Sequence, residues 1–126
     1  GVATTGNAVK GGYAAPVKTA PFNFYLQPGE LSPEALYAKM GRGVLICDLA
    51  GTHAGANAAT GEFSLSAKGF WIEDGKITKP VEQITVAGNF YELLKGITDV
   101  GSDLEFSMSC CGSPTVLLDS LAVAGL

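Results

Sequence analysis

The side chains in this 126-residue chain that could do chemistry are few: one histidine, His53, three cysteines, Cys47, Cys110 and Cys111, and a thin scatter of carboxylates. A single histidine supplies neither the two-His set of a typical catalytic zinc site nor a second base, so His53 reads as a polar loop residue. Cys110 and Cys111 are adjacent, unlike the two-residue spacing of a zinc knuckle, and give only a weak metal signal even with His53. Cys47 sits inside an apolar run and reads as a small core residue. An odd thiol count with two neighbours suits a reducing compartment better than a disulfide framework. Glu62, Glu73, Asp74 and Glu105 alternate with apolar positions or lie in turns, which makes them solvated strand faces rather than a catalytic pair. No Gly-x-Ser-x-Gly elbow, phosphate loop or dinucleotide fingerprint is present.

The elements that must position these groups centre on residues 51–81. Phe63, Leu65 and Ala67 alternate with Ser64, Ser66 and Lys68, the period of a strand with one buried face. The apolar phase slips at Gly69 and continues on Phe70 and Ile72, which predicts a β-bulge there. Asp74-Gly75 predicts a type I′ hairpin turn, after which Lys76 to Thr78 pairs back and Pro80 ends the ladder. Trp71 reads as a core residue more readily than as a platform for a sugar or base. The Gly- and Ala-rich run 51–61 has little to bury and reads as a loop held out by the hairpin, a common place for binding residues.

Outside this hairpin, residues 1–23 lack periodicity and read as an irregular N-terminal segment. Phe22, Phe24, Tyr25 and Leu26 suggest an edge strand docked on the core. Ser32-Pro33-Glu34 is a helix start, with Leu36 and Met40 on one face and Gly41 and Gly43 as stops. Residues 43–49 predict a buried strand, and 83–87 a strand with Ile84 and Val86 inward. Phe90, Leu93, Leu94 and Ile97 form one helical stripe, capped by Asn89 and stopped by Gly96 or Gly101. Leu104, Phe106 and Met108 predict a further strand, and residues 115–124 a long one with a phase slip near Ser120. The sum is a mainly β chain with five or six strands and two short helices. An antiparallel sheet of barrel- or sandwich-like form, in the α+β class, is expected.

The length fits a single domain, and 47% hydrophobic residues suffice for a core. No run reaches the length of a membrane-spanning helix, and no secretory signal pattern opens the chain. The net charge of −4 is dispersed, without the basic patch that nucleic acid requires. The opening GVATTGNAVKGG, without Met, reads as an excerpt of a longer protein.

Several stretches carry a resemblance: TTGNA at 4–8, NFYLQPGELSPE at 23–34, TGEFS at 60–64, GFWIEDGKI at 69–77, ITVAGNF at 84–90 and LAVAG at 121–125. In this order they resemble the C-terminal region of the TldD/PmbA family, also called modulators of DNA gyrase. The resemblance implies a C-terminal domain, residues 1–126, of a longer cytoplasmic protein. In this family two branches pair as a metalloprotease that acts on unfolded peptides.

One branch, TldD, carries a His-Glu-x-x-x-His zinc motif on a helix upstream of this region. The resemblance here is to the other branch, PmbA or TldE, which lacks that pair. It implies that no cofactor is held in this fragment and that zinc sits on a TldD-like partner subunit, within a hetero- or homodimer at full length. It also implies that Cys111 is a counterpart of the family's ligand Cys with no site to complete here. Asn57, Thr60, Gly61, Phe63 and Ser64 are the expected peptide-contacting residues, with backbone pairing at a strand edge as the mode of sequence-tolerant binding. A reading of another class is a stand-alone ligand-binding β-domain in which Trp71 stacks on its ligand.

Overall fold

In the computed structural model, which describes residues 1–106 and 110–125, the chain runs through eleven strands and three short helices. In order these are β1 (Ala8–Lys10), β2 (Val17–Thr19), β3 (Phe24–Tyr25), α1 (Pro33–Met40), β4 (Gly43–Ala50), α2 (Thr52–Gly55), β5 (Glu62–Glu73) and β6 (Lys76–Asn89). Then follow α3 (Phe90–Lys95), β7 (Ile97–Val100), β8 (Glu105–Phe106), β9 (Cys111–Ser113), β10 (Val116–Leu118) and β11 (Ala122–Ala124). The expected class, mainly β in antiparallel sheets with short helices, is the one observed. Among the described residues no sheet closes into a barrel, and the open sheets fit the sandwich-like form.

The long hairpin of β5 and β6 is the spine. Asp74 and Gly75 both take positive φ, 51° and 71°, as a type I′ turn demands. From that turn the ladder runs from Glu73↔Lys76 to Glu62↔Asn89, and β4 and β11 flank it in the order β11-β6-β5-β4. Leu65 faces Val86 and Ala67 faces Ile84 across the ladder. These four are buried, with Val44, Ile46, Phe63, Val81, Leu121 and Val123 packed around them. Ile84 and Val86 therefore point inward as their alternation required. At the hairpin tip, the amide of Gly75 donates to the carbonyl of Gly41 at 2.8 Å, docking the hairpin against the end of α1.

Gly69 does mark an irregularity, but the extra residues lie on its neighbours. Ile46 pairs with Gly69 and Asp48 with Lys68, which leaves Cys47 unpaired on β4. On the other side Ala67 pairs with Ile84 and Gly69 with Val81, so β6 carries its own extra residue near Gln83, whose φ is +56°. The inward phase on β5 consequently persists through Gly69 to the half-buried Trp71 and slips only between Trp71 and Ile72. Ile72 is fully buried as expected, whereas Phe70 is exposed.

Several expectations are corrected. Pro80 does not end the ladder: it pairs with Phe70 inside β6. It is tolerated because β11 covers only Thr85 to Ala87, leaving this part of β6 a sheet edge where a missing N–H costs little. The strand 43–49 is an edge strand rather than a buried one, and the bulge turns Cys47 out to solvent instead of into the core. Residues 1–23 carry the β1–β2 hairpin. β3 is indeed an edge strand, but Phe22, Phe24 and Tyr25 stay exposed, because β3 pairs in parallel with β9 of a separate small sheet, β3-β9-β8, rather than the main one.

Among the described residues there are three helices, not two, since one turn forms within 51–61. The stripe at 90–97 is cut short. Gly96 caps α3 with its amide on the carbonyls of Glu92 and Leu93, and Ile97 opens β7. The run 115–124 breaks near Ser120 into β10 and β11, which belong to different sheets, β10 with β7 and β11 with β6. The strand expected around Leu104 to Met108 appears as β8, with Met108 outside the described residues. No helix among the described residues is long and apolar enough to cross a membrane.

Candidate functional site

The loop 51–61 is held far more firmly than its Gly- and Ala-rich composition suggests. Gly51, at φ +86°, starts α2, whose last residue, Gly55, lies against the backbone of Ser64 so closely that a β-carbon there would collide with its carbonyl. Ala56 then forms an antiparallel bridge with Phe63. The Asn57 amide donates to the carbonyl of Glu62, and its own carbonyl accepts from the Gly61 amide, both at 2.8 Å. Asn57 Oδ1 accepts from the amides of Ala59 and Thr60, a side-chain turn for which Asn is suited. Thr60 Oγ1 accepts from the Glu62 amide and donates to its carboxylate.

Asn89 ties this loop to α3. Its Oδ1 caps the helix by accepting from the Tyr91 amide, while its Nδ2 donates to the Thr60 carbonyl, both at 2.9 Å. The Phe90 amide donates to the Gly61 carbonyl at 2.7 Å. Gly61 is buried at φ +79°, and a β-carbon there would press on the Tyr91 ring. Of the five residues expected to contact peptide, Asn57, Thr60, Gly61, Phe63 and Ser64, the structure gathers all in this corner. The side chains of Asn57 and Thr60 are engaged in the turn, Phe63 is half-buried against Gly88, and Ser64 is exposed in the ladder opposite Ala87.

Beside the loop opens a groove of about 1690 Å³ between α1, the inward face of the main sheet, α3 and the β7–β10 pair. Leu36, Val44, Ile46, Leu65, Val86, Leu93 and Leu117 contribute an apolar floor and walls. Asn57, Gly61 and Phe63 reach it, as do Phe90 and Tyr91, which are half-exposed. Phe90 belongs to the apolar stripe expected over 90–97; the early end of α3 leaves it half-exposed at the groove. The capping role of Asn89 was legible, but its hold on Thr60 was not, because a contact across 29 residues leaves no local pattern.

Two carboxylates on the groove walls have specific partners. Lys39 Nζ of α1 donates to Asp99 Oδ1 of β7 at 2.7 Å, and this hydrogen bond, with the lysine charge, holds the Asp99 carboxyl below its ordinary range. At Asp103, burial pushes the carboxyl pKa upward. Even so, it lies below its ordinary value, because the Thr115 hydroxyl and amide both donate to it, at 2.7 and 3.0 Å. Tyr37, also on the groove, has its phenol pKa raised by burial first and by Glu34 and Asp103 next.

The other candidates form no cluster with these two carboxylates, although Glu62, Glu105 and Trp71 also border the groove. His53 is exposed on α2, and Glu62, Glu73, Asp74 and Glu105 are all exposed. Cys111 stands on β9 beside β3, with its neighbour's carbonyl accepting from the Phe24 amide at 2.8 Å. Among the described residues no group of three or more His, Cys, Asp or Glu side chains converges to hold a metal ion. The donors of a metallopeptidase centre are thus not assembled by these residues, and no step through a metal is derived from them. Trp71 is half-buried, and the Arg42 guanidinium lies 5.4 Å from its ring centre, so a cation–π contact occupies a face that a flat ligand would need.

A mainly antiparallel α+β domain with an apolar groove and, among the described residues, no metal-ligand cluster is the class that fold and site define. Residues 1–125 match the family model described as the PmbA/TldA metallopeptidase C-terminal domain, and the chain belongs to that family. It is 42% identical over 96 residues to the Metalloprotease PmbA of Escherichia coli O157:H7, covering 75% of this chain and 20% of that protein. The Metalloprotease TldD homolog of Haemophilus influenzae is 29% identical over 138 aligned positions, covering 99% of this chain and 28% of that protein.

Among solved structures, a candidate modulator of a DNA gyrase from Thermotoga maritima superposes with a TM-score of 0.85 at 47% identity, covering 98% of this chain and 27% of that one. TldE from Thermococcus kodakarensis superposes at 0.84 with 26% identity, covering 97% and 28%. The chain therefore spans between a fifth and three tenths of the length of these relatives.

Proposed function

We propose that this chain is the C-terminal domain of a PmbA/TldE-like subunit in a cytoplasmic metalloprotease assembly that degrades or processes unfolded peptides, and that it acts as the non-metal partner of a TldD-like subunit. The observation that carries this reading is the match of nearly the whole chain to the metallopeptidase C-terminal domain, with higher identity to the PmbA-named relative than to the TldD-named one. In this reading the zinc and the general base belong to the His-Glu-x-x-x-His helix of the partner.

This domain contributes rigid β-structure and a wall of the peptide path. The loop corner of Asn57, Thr60, Gly61, Phe63 and Ser64 suits that task physically, since its backbone is fixed by its own hydrogen bonds and costs no ordering when a peptide arrives. Peptides that pair through their backbone with a strand edge are held with little regard to sequence.

The test is co-expression of the full-length protein with a TldD-like subunit, followed by zinc analysis and cleavage assays on an unfolded polypeptide. The expected result is a stable complex that cleaves, with zinc tracking the partner, and a full-length protein that is inert alone. Cleavage by the zinc-loaded full-length protein without a partner would overturn the non-metal assignment. Failure of the two to associate would overturn the assembly.

A further inference from the structure

Two thiols stand side by side where the small sheet β3-β9-β8 is tied together. Cys110 and Cys111 are adjacent in the chain and both are exposed to solvent, Cys111 as the first residue of β9. The backbone around them holds β3 in place. The Phe24 amide donates to the Cys110 carbonyl at 2.8 Å, and the Leu26 amide donates to the Gly112 carbonyl at 3.2 Å. On its other side β9 pairs with β8 through Gly112 and Ser113, so it is the central strand of this sheet. The segment it holds carries the exposed rings of Phe22, Phe24 and Tyr25.

Neighbouring thiols are poorly placed for each other while the backbone is extended, because successive side chains along a strand point to opposite faces. Their α-carbons are also about 3.8 Å apart, closer than the roughly 4.4 Å at which ordinary disulfides begin. A bond between them closes an eight-membered ring that contains the Cys110–Cys111 peptide group. That peptide must then turn out of the extended form, and its carbonyl is the acceptor that holds Phe24. Strain of this kind makes a disulfide easy to reduce, which suits a reversible mark in a reducing compartment and not a permanent staple. Adjacency works the other way: no loop has to close before one sulfur can reach the other.

We propose that Cys110 and Cys111 are a redox modification site, oxidised to a vicinal disulfide by small disulfides of the oxidised-glutathione class, and that this bond releases β3 at Phe24. One thiol attacks the glutathione disulfide, giving a mixed disulfide and one reduced glutathione. The neighbouring sulfur then attacks the protein-side sulfur, and the second glutathione leaves reduced. The pair gives up two electrons and two protons to the two glutathione thiols, and excess reduced glutathione reverses both steps. Cys47 has no cysteine beside it in the chain, so the same reagent stops there at the mixed disulfide.

The test is oxidation of the full-length protein with oxidised glutathione, followed by alkylation, digestion and mass spectrometry. The segment holding Cys110 and Cys111 is expected to become lighter by two hydrogens, to refuse alkylation at both positions, and to recover on adding reduced glutathione. In Cys110→Ser or Cys111→Ser the remaining thiol is expected to keep its glutathione, since nothing adjacent displaces it. Amide hydrogen exchange of the parent supplies the structural readout: the Phe24 amide should exchange at least about tenfold faster in the oxidised form and return to its starting rate on reduction. Alkylation of both thiols after full oxidation would overturn the proposal, as would a stable glutathione adduct on the parent or a bridge from either thiol to any other cysteine. An unchanged Phe24 amide in the bridged protein would overturn the release of β3.

Discussion

Gly69 lies directly beneath the carbonyl of Leu45, so close that a β-carbon at position 69 would overlap the Leu45 oxygen, with the Cys47 amide at 3.1 Å closing the other side. The bulge at Cys47 brings the β4 backbone this near β5, and only a residue without a side chain fits under it. Gly69→Ala is accordingly expected to destabilise the protein by about 2 to 3 kcal/mol, the scale of overpacking a tight site. Thermal or urea unfolding checks this. A variant as stable as the parent would show that β4 shifts freely, against the tight packing drawn here.

Asn89 acts on two backbones at once, capping α3 through Tyr91 and holding the Thr60 carbonyl. Asn89→Ala should cost about 1 to 2 kcal/mol, since a cap and a loop tie are lost together. Asn57→Ala should cost about 1 kcal/mol by removing the acceptor for two turn amides. Both residues fix the same loop, so the double variant is expected to cost less than the sum. A strictly additive pair would mean that the turn and the cap are independent.

Acid should weaken the fold through Asp99 and Asp103. Both carboxyls titrate below their ordinary value of 3.8, so each binds its proton more weakly when folded than when unfolded. The stability they contribute is complete above that value and is lost as pH falls through the lower, folded-state one. Asp103→Asn should therefore flatten the acid limb of a stability-against-pH curve below about pH 4 while leaving its shape near neutrality unchanged. An unchanged acid limb would remove Asp103 from this account.

The sequence by itself determined the local devices, because each depends on residues a few positions apart. The type I′ turn at Asp74-Gly75, the Ser32 and Asn89 caps, and the inward alternation of Leu65, Ala67, Ile84 and Val86 all stand where spacing put them. Motif order over nearly the whole chain was also enough to indicate the family that the comparison then showed.

Tertiary structure decided which apolar strands are central and which are edges. A run such as 43–50 reads the same in either role, and only pairing on one side made it an edge and turned Cys47 outward. Partners also decided the local breaks: the run 115–124 split because its two halves pair with different strands, β7 and β6. The groove, the Lys39–Asp99 pair and the tie from Asn89 to Thr60 join residues 29 or more apart in sequence, where periodicity carries no information and only the folded chain brings them together.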